Sequence, residues 1–239
     1  MQHDELNPEQ QLAAKFRDGV CAVIAVPGSG KTKTMMERIG VLVNEYKIAP
    51  EHILGLMFTR NAADEMRNRL VPVLGDLSTR VFLATIHSFC HTVLRFEGHT
   101  FEILNGKEQL IFMKEIMKKL KIKDLSIGMV LREISLAKNN LITVDEFKEL
   151  YVGDKTMLKV ANIYESYDRE KSKKMLYDFD DLLVQTYKLL KEKMSVREKY
   201  REIFTFPVKD YYIKAGHDFV NESFEKIGKD FIDEYERRS

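Results

Sequence analysis

The clearest chemistry in the sequence lies in AVPGSGKT, Ala25 to Thr32. Gly28 and Gly30 can take backbone angles closed to other residues, so that N–H groups around Ser29 turn toward one centre. A helix starting near Lys31 adds partial positive charge at that centre. Lys31 is suited to reach the outer phosphates of a triphosphate as a point charge, and Thr32 to offer its hydroxyl to Mg²⁺. The pattern is that of a phosphate-binding loop, with Ala25 where the general form has its first glycine. A Gly/Ser turn followed by a surface lysine would need neither the apolar run before it nor the helical run after it. The loop leaves the base of the nucleotide open.

Elements that can position such a loop alternate along the first hundred residues. GVCAVIAV (19–26) is a near-continuous apolar run, as in a strand buried on both faces. Met35, Ile39, Leu42, Val43 and Tyr46 share one face of a helix over 31–46. Strands are expected at 52–58 and 81–85, and helices at 61–70 and 88–95. This alternation implies a parallel sheet with right-handed crossovers. From Lys107 to about Lys174 only helical periodicity remains, with helices expected at 108–120, 126–137, 144–151 and 156–170. Two further helices are expected at 180–193 and 195–204. The fold class is therefore α/β, a P-loop NTPase sheet carrying a large all-helical insert.

Composition bounds the function. The chain has 239 residues and 44% hydrophobic content, enough for a sizeable core. Lysine and arginine (38) nearly balance aspartate and glutamate (37), which argues against a polyanion-binding tail but not against a local basic face. Two cysteines, Cys21 and Cys90, cannot build a disulfide framework or a zinc cage, and each sits beside apolar residues as a buried thiol would. No basic start with an apolar stretch marks a signal, and no uncharged run is long enough for a membrane span. A soluble, cytoplasmic protein without a membrane partner is expected.

Several segments in order give the sequence a family resemblance. LNPEQ (6–10), GSGKT (28–32), LMFTRNAADEM (56–66), TIHSFC (85–90) and YDFDDLL (177–183) together resemble the UvrD/Rep/PcrA-type superfamily 1 DNA helicases. LAKNNLITVDEF (136–147) resembles the middle of that family's helical subdomain. The resemblance implies a RecA-like motor subdomain at 1–100 plus 177–239, with a helical insert at 101–176. It implies that Gln10 reads adenine, and that Gly28, Ser29, Gly30, Lys31 and Thr32 hold ATP and Mg²⁺, with Lys31 and Thr32 in catalytic roles. It implies that Phe58, Thr59, Arg60, Thr85 and His87 contact single-stranded or junction DNA. Residue chemistry agrees: an aromatic at a strand end can stack on a base, and short hydroxyl and imidazole donors suit phosphates. A basic cluster at Lys114, Lys118, Lys119, Lys121 and Lys123 fits a solvated helix face equally well.

The resemblance also raises an expectation of incompleteness. After a segment like VREKYREIFTF (196–206), the family has a strand ending in Asp-Glu, whose Asp holds Mg²⁺ and whose Glu activates water. Here PVKDYYIKAGHDF follows, with no apolar strand expected. FIDEYERRS, containing Asp233, Glu234 and Glu236, reads instead as an amphipathic helix. The leading expectation is an ATP-binding, DNA-binding N-terminal domain of an ATP-dependent helicase, 3′ to 5′ in the intact family and associated with DNA repair. The alternative is an inactive fragment that binds DNA or a partner. A small-molecule kinase would need GSGKT but not LNPEQ, TIHSF or DFDDL.

Overall fold

A computed structural model describes residues 6–17, 23, 26 and 28–204, together with the backbone of 206–209. The expected strand at 19–26 falls almost wholly outside these residues, as do Cys21 and the expected helix around Asp233. The described chain is mostly helical with small parallel sheets. It divides into two units. The first holds the described residues up to Phe89 and again from Lys193, and the second holds Cys90–Glu192. The expected insert at 101–176 lies within the second.

The first unit begins with α1, Pro8–Lys15, whose start is set by the sequence: Asn7 caps it, Pro8 occupies the first turn, and Gln10 completes a reciprocal box. Helix α2, Lys31–Asn44, follows the Gly28–Gly30 turn. Strand β1, Ile53–Met57, is buried along its whole length. It leads into α3, Arg60–Leu74, capped by Thr59. Strand β2, Phe82–Thr85, runs directly into α4, Ile86–Phe96. The two strands pair in parallel, with Met57 opposite Thr85. Ile39, Leu42, Ile53, Met57, Met66, Leu70 and Leu83 form the core where α2 and α3 cover the sheet. Arg38 ties α1 down by donating to the Phe16 carbonyl, and the Tyr46 hydroxyl donates to the Lys15 carbonyl at 2.9 Å.

The second unit opens with β3, Glu102–Ile103, and α5, Gly106–Lys119. Then come α6 (Ile127–Asn139), α7 (Val144–Leu150) and α8 (Lys155–Lys173). Strand β4, Leu176–Tyr177, and α9, Phe179–Glu192, close it. The four helices expected between 107 and 174 are present with ends shifted by a few residues, which is the usual uncertainty of end positions. β3 and β4 form a two-residue parallel pairing, too short to carry a sequence period. Their neighbours Phe101 and Tyr177 stack with ring centres 4.5 Å apart. Met113, Val130, Ile134, Val160, Ile163 and Tyr167 are at the centre of the helical core.

A buried ionic cluster pins α6, α8 and α9 together. The Lys138 ammonium donates to Asp181 Oδ1 at 2.6 Å and to Asp178 Oδ2 at 3.1 Å. The Lys171 ammonium donates to Asp178 Oδ2 at 2.6 Å and to Asp181 Oδ2. Asp178 and Asp181 also each donate a backbone N–H to the other's carboxylate at 2.9 Å, making a capping box at the start of α9. Burial alone would raise the Asp178 pKa, but the two ammonium groups hold it well below the usual carboxylate range.

Back in the first unit, α10, Met194–Ile203, brings Tyr200 and Phe204 against Phe82 and Phe89. Strand β5, Phe206–Lys209, then pairs in parallel with β1, giving the order β2-β1-β5. This corrects the expectation that no strand follows 206. Pro207 and Lys209 hide it from a side-chain pattern, whereas pairing with β1 is made by the backbone.

Candidate functional site

The loop expected to bind phosphate has the backbone that its residue types allow. Gly28 and Gly30 have φ of 81° and 83°, the left-handed region that glycine enters without strain. Ser29 N–H donates to the Val26 carbonyl at 3.2 Å, closing the turn. Gly30 sits at the cap position of α2, and no side chain caps that helix. By contrast α1, α3, α5, α6, α7 and α8 each start with a side-chain oxygen on their first amides. α10 also lacks a side-chain cap, so what sets α2 apart is the glycine turn before it, and a helix start of that kind can offer its amides to an anion. The Ser29 hydroxyl points the same way: its oxygen is shielded from solvent and has no hydrogen-bond partner among the described residues. Lys31, in the first turn of α2, donates to the Val26 carbonyl at 2.9 Å and so lies back along the loop. Thr32 follows it in the same turn, half-buried.

Gln10 is brought to this loop from α1. Its Nε2 donates to the Ser29 carbonyl at 2.8 Å, while its Oε1 accepts the Asn7 N–H at 2.9 Å. The donor set therefore fits a triphosphate with Mg²⁺: glycine-turned amides, a lysine, a hydroxyl after it and an unpartnered serine oxygen.

The other expected residues gather at one edge of the parallel sheet. Phe58 and Thr59 follow β1, and Thr85 ends the adjacent strand β2, so both groups leave the carboxyl ends of paired strands. Phe58 is 69% exposed, unusual for a phenylalanine at a strand end. Thr59 accepts the Ala62 N–H at 3.1 Å and so caps α3, with Arg60 exposed in the first turn. Thr85 is buried. Its hydroxyl accepts Ser88 N–H at 3.2 Å and donates to the Ser88 hydroxyl at 2.9 Å. His87 is exposed on the first turn of α4. Thr85 thus starts a helix, while Ser88 and His87 lie beyond it.

Comparison with known proteins decides the family. The description of the UvrD/REP helicase N-terminal domain matches residues 6–212. The chain belongs to this family. It is 35% identical over 215 residues to the ATP-dependent DNA helicase PcrA of Bacillus subtilis, covering 87% of this chain and 29% of that protein. PcrA of Staphylococcus aureus strain Mu50 is 32% identical over 218 residues, covering 87% and 30%. PcrA of Staphylococcus epidermidis is 30% identical over 215 residues, covering 87% and 29%. The chain spans about 30% of the length of these relatives. The UvrD/REP match runs past β5 to residue 212, so it includes the strand that the side-chain pattern concealed.

Sequence reasoning missed two features of this family member. One is β5, after which the next residue in the sequence is Asp210. The other is the pairing of Lys138 and Lys171 with Asp178 and Asp181. A signal for it existed: lysines and aspartates at positions where the helical period called for apolar residues. Cys90 is buried as expected, and burial pushes its thiol up to about 12. Among the described residues no helix is long and apolar enough to cross a membrane.

Proposed function

We propose that this chain is the ATP-binding, single-stranded-DNA-binding part of an ATP-dependent DNA helicase. In this reading the first unit is a RecA-like motor subdomain and the helical unit is an insertion. The chain leaves the first unit after Phe89 and returns at Lys193, which supports that topology. The observation that carries the reading is the open start of α2. Its first amides have no side-chain cap, the turn before it has positive φ at Gly28 and Gly30, and the shielded Ser29 hydroxyl has no hydrogen-bond partner among the described residues, a set of donors suited to an anion. Lys31 would leave the Val26 carbonyl to pair with the outer phosphates, and Thr32 would turn its hydroxyl to Mg²⁺. The bound ion would neutralise charge on the phosphates. Gln10 would face adenine. Phe58 would stack on a base, while Thr59, Arg60, His87 and Ser88, the last held by the buried Thr85, would line the phosphate path of one strand, single-stranded or at a junction. Translocation, 3′ to 5′, would belong to the whole motor.

The test is titration of the chain with a fluorescent ATP analogue and Mg²⁺. Saturable binding that Lys31→Ala weakens at least about tenfold is expected, as for loss of a charged hydrogen bond. Equal binding by both proteins would end the reading. Labelled single-stranded DNA should bind with affinity that falls steeply with salt.

A second reading, binding without turnover, is favoured by one observation. β5 continues in sequence into Asp210-Tyr211. In this reading Asp210 would offer a carboxylate suited to Mg²⁺, but the next residue in the sequence, Tyr211, would offer a phenol where a glutamate could serve as base. A single-turnover assay with labelled ATP and excess single-stranded DNA separates the two: release of phosphate supports a motor, and retained ATP supports a binding module.

A further inference from the structure

We propose a second binding site, in the helical unit: a pocket between α6 and α7 that receives an arginine side chain of a partner polypeptide. It is independent of the nucleotide-site reading. The segment 136–147, which the nucleotide and DNA readings leave unused, supplies most of its wall. Ala137 and Asn140 come from α6, Ile142 from the turn after it, Phe147 from α7 and Tyr151 from the end of that helix. Glu133 lies on the same face of α6, one and two turns before Ala137 and Asn140. Together they border a space of about 210 Å³ that is partly open to solvent. A cavity of roughly 150 Å³ already takes up a benzene ring, so a planar side-chain head fits here.

Glu133 decides the chemistry. It is only 8% exposed, and an enclosed carboxylate costs free energy unless it is paired. Arg132 Nη2 and Nε both donate to its Oε1, at 2.9 Å and 3.2 Å, and its Oε2 has no hydrogen bond among the described residues. Arg132 reaches it from solvent, with a side chain 70% exposed, and ion pairs of that kind contribute little. Asn140 adds a second acceptor: its Nδ2 is used on the Leu136 carbonyl at 2.9 Å, which leaves its Oδ1. Phe147 and Tyr151, with ring centres 4.7 Å apart, add the aromatic part of the wall. Acceptors beside aromatic rings select a cation with a flat face. A guanidinium brings a fork of donors for the carboxylate and a weakly hydrated plane for the rings, whereas an ammonium brings charge without the plane. Leu150 and Val152, on either side of Tyr151 in sequence, are 63% and 80% exposed and offer apolar surface to the residues that flank the arginine. A nucleic acid would set its phosphates against Glu133, so a polypeptide is the occupant.

The experiment titrates the full chain with three blocked tripeptides and follows its backbone amide NMR signals. The probes are acetyl-Leu-Arg-Leu-amide and the same peptide with lysine or with citrulline, the uncharged analogue of arginine, at the centre. The arginine peptide should give saturable shifts at Glu133, Asn140 and Tyr151, and bind at least about fivefold more tightly than the citrulline peptide and more tightly than the lysine peptide. Glu133→Gln keeps the shape of the side chain; it should weaken the arginine peptide about tenfold and remove its advantage over citrulline. Should circular dichroism show that variant unfolded, Tyr151→Leu replaces it and should weaken the arginine peptide at least about threefold. No saturable shift in wild type, shifts confined to other parts of the chain, equal affinity for arginine and citrulline, or tighter binding of lysine overturns the proposal. So does an affinity that the folded variant leaves unchanged, or a single-stranded DNA oligomer that moves these signals when the peptide does not. The comparison of arginine with citrulline needs only the wild-type chain, so a variant that fails to fold leaves the proposal open to refutation.

Discussion

The start of α2 and the start of α9 show two ways of treating a helix terminus beside lysine. At α9, Asp178 and Asp181 cap the first amides reciprocally, and the same carboxylates absorb the charge of Lys138 and Lys171. The cluster is closed, with donors and acceptors meeting inside the unit. At α2 no side chain caps the amides, the Ser29 hydroxyl is shielded and without a hydrogen-bond partner among the described residues, and Lys31 donates to the Val26 carbonyl. Buried polar groups cost free energy unless they are paired. A region that satisfies its own groups therefore acts in folding, and a region that leaves them open is shaped for something that binds.

The comparison can be broken first at the closed cluster. Lys138→Met leaves two buried carboxylates sharing one ammonium and should cost about 3–5 kcal/mol in denaturant unfolding, while Lys31→Met should stay within about 0.5 kcal/mol of wild type. Similar losses in both would erase the distinction. Acid sharpens it next. The folded-state pKa of Asp178 is depressed, so its contribution is complete above the unfolded value near about 4 and disappears as pH falls toward the folded value. Far-ultraviolet circular dichroism should show helix loss beginning below about pH 4, and Asp178→Asn should flatten that transition.

Removing Thr59→Ala deletes a side-chain cap from α3 and should cost about 1 kcal/mol of stability. The matching change at α2, Gly30→Ala, removes no cap; its left-handed backbone and the 3.0 Å approach to Gln10 should make it affect nucleotide binding more than the Thr59 change does. The smallest effect concerns Cys90. With its thiol raised to about 12 by burial, it should resist a thiol reagent at pH 8 in a Cys21→Ser background until the protein is unfolded. Rapid labelling of the native protein would show the helical unit to be less closed than described.

What the sequence determined by itself is local. GSGKT specified a glycine-turned loop opening a helix because only certain residues tolerate positive φ and only certain ones neutralise phosphate. Asn7-Pro8 marked the start of α1, and apolar periods placed the helices from α5 to α8, because a helix repeats its buried face every three or four residues. What the tertiary structure decided is long-range. Gln10 meets Ser29 across a separation of 19 residues, and Lys138 meets Asp181 across 43. Thr85 became an internal cap instead of an exposed donor because α4 starts at the very end of β2. Strand β5 exists through backbone pairing with β1, although Pro207 and Lys209 obscure any alternation. Periodicity records which side of an element is buried; it carries no record of which distant carbonyl, carboxylate or strand edge will be there to receive it.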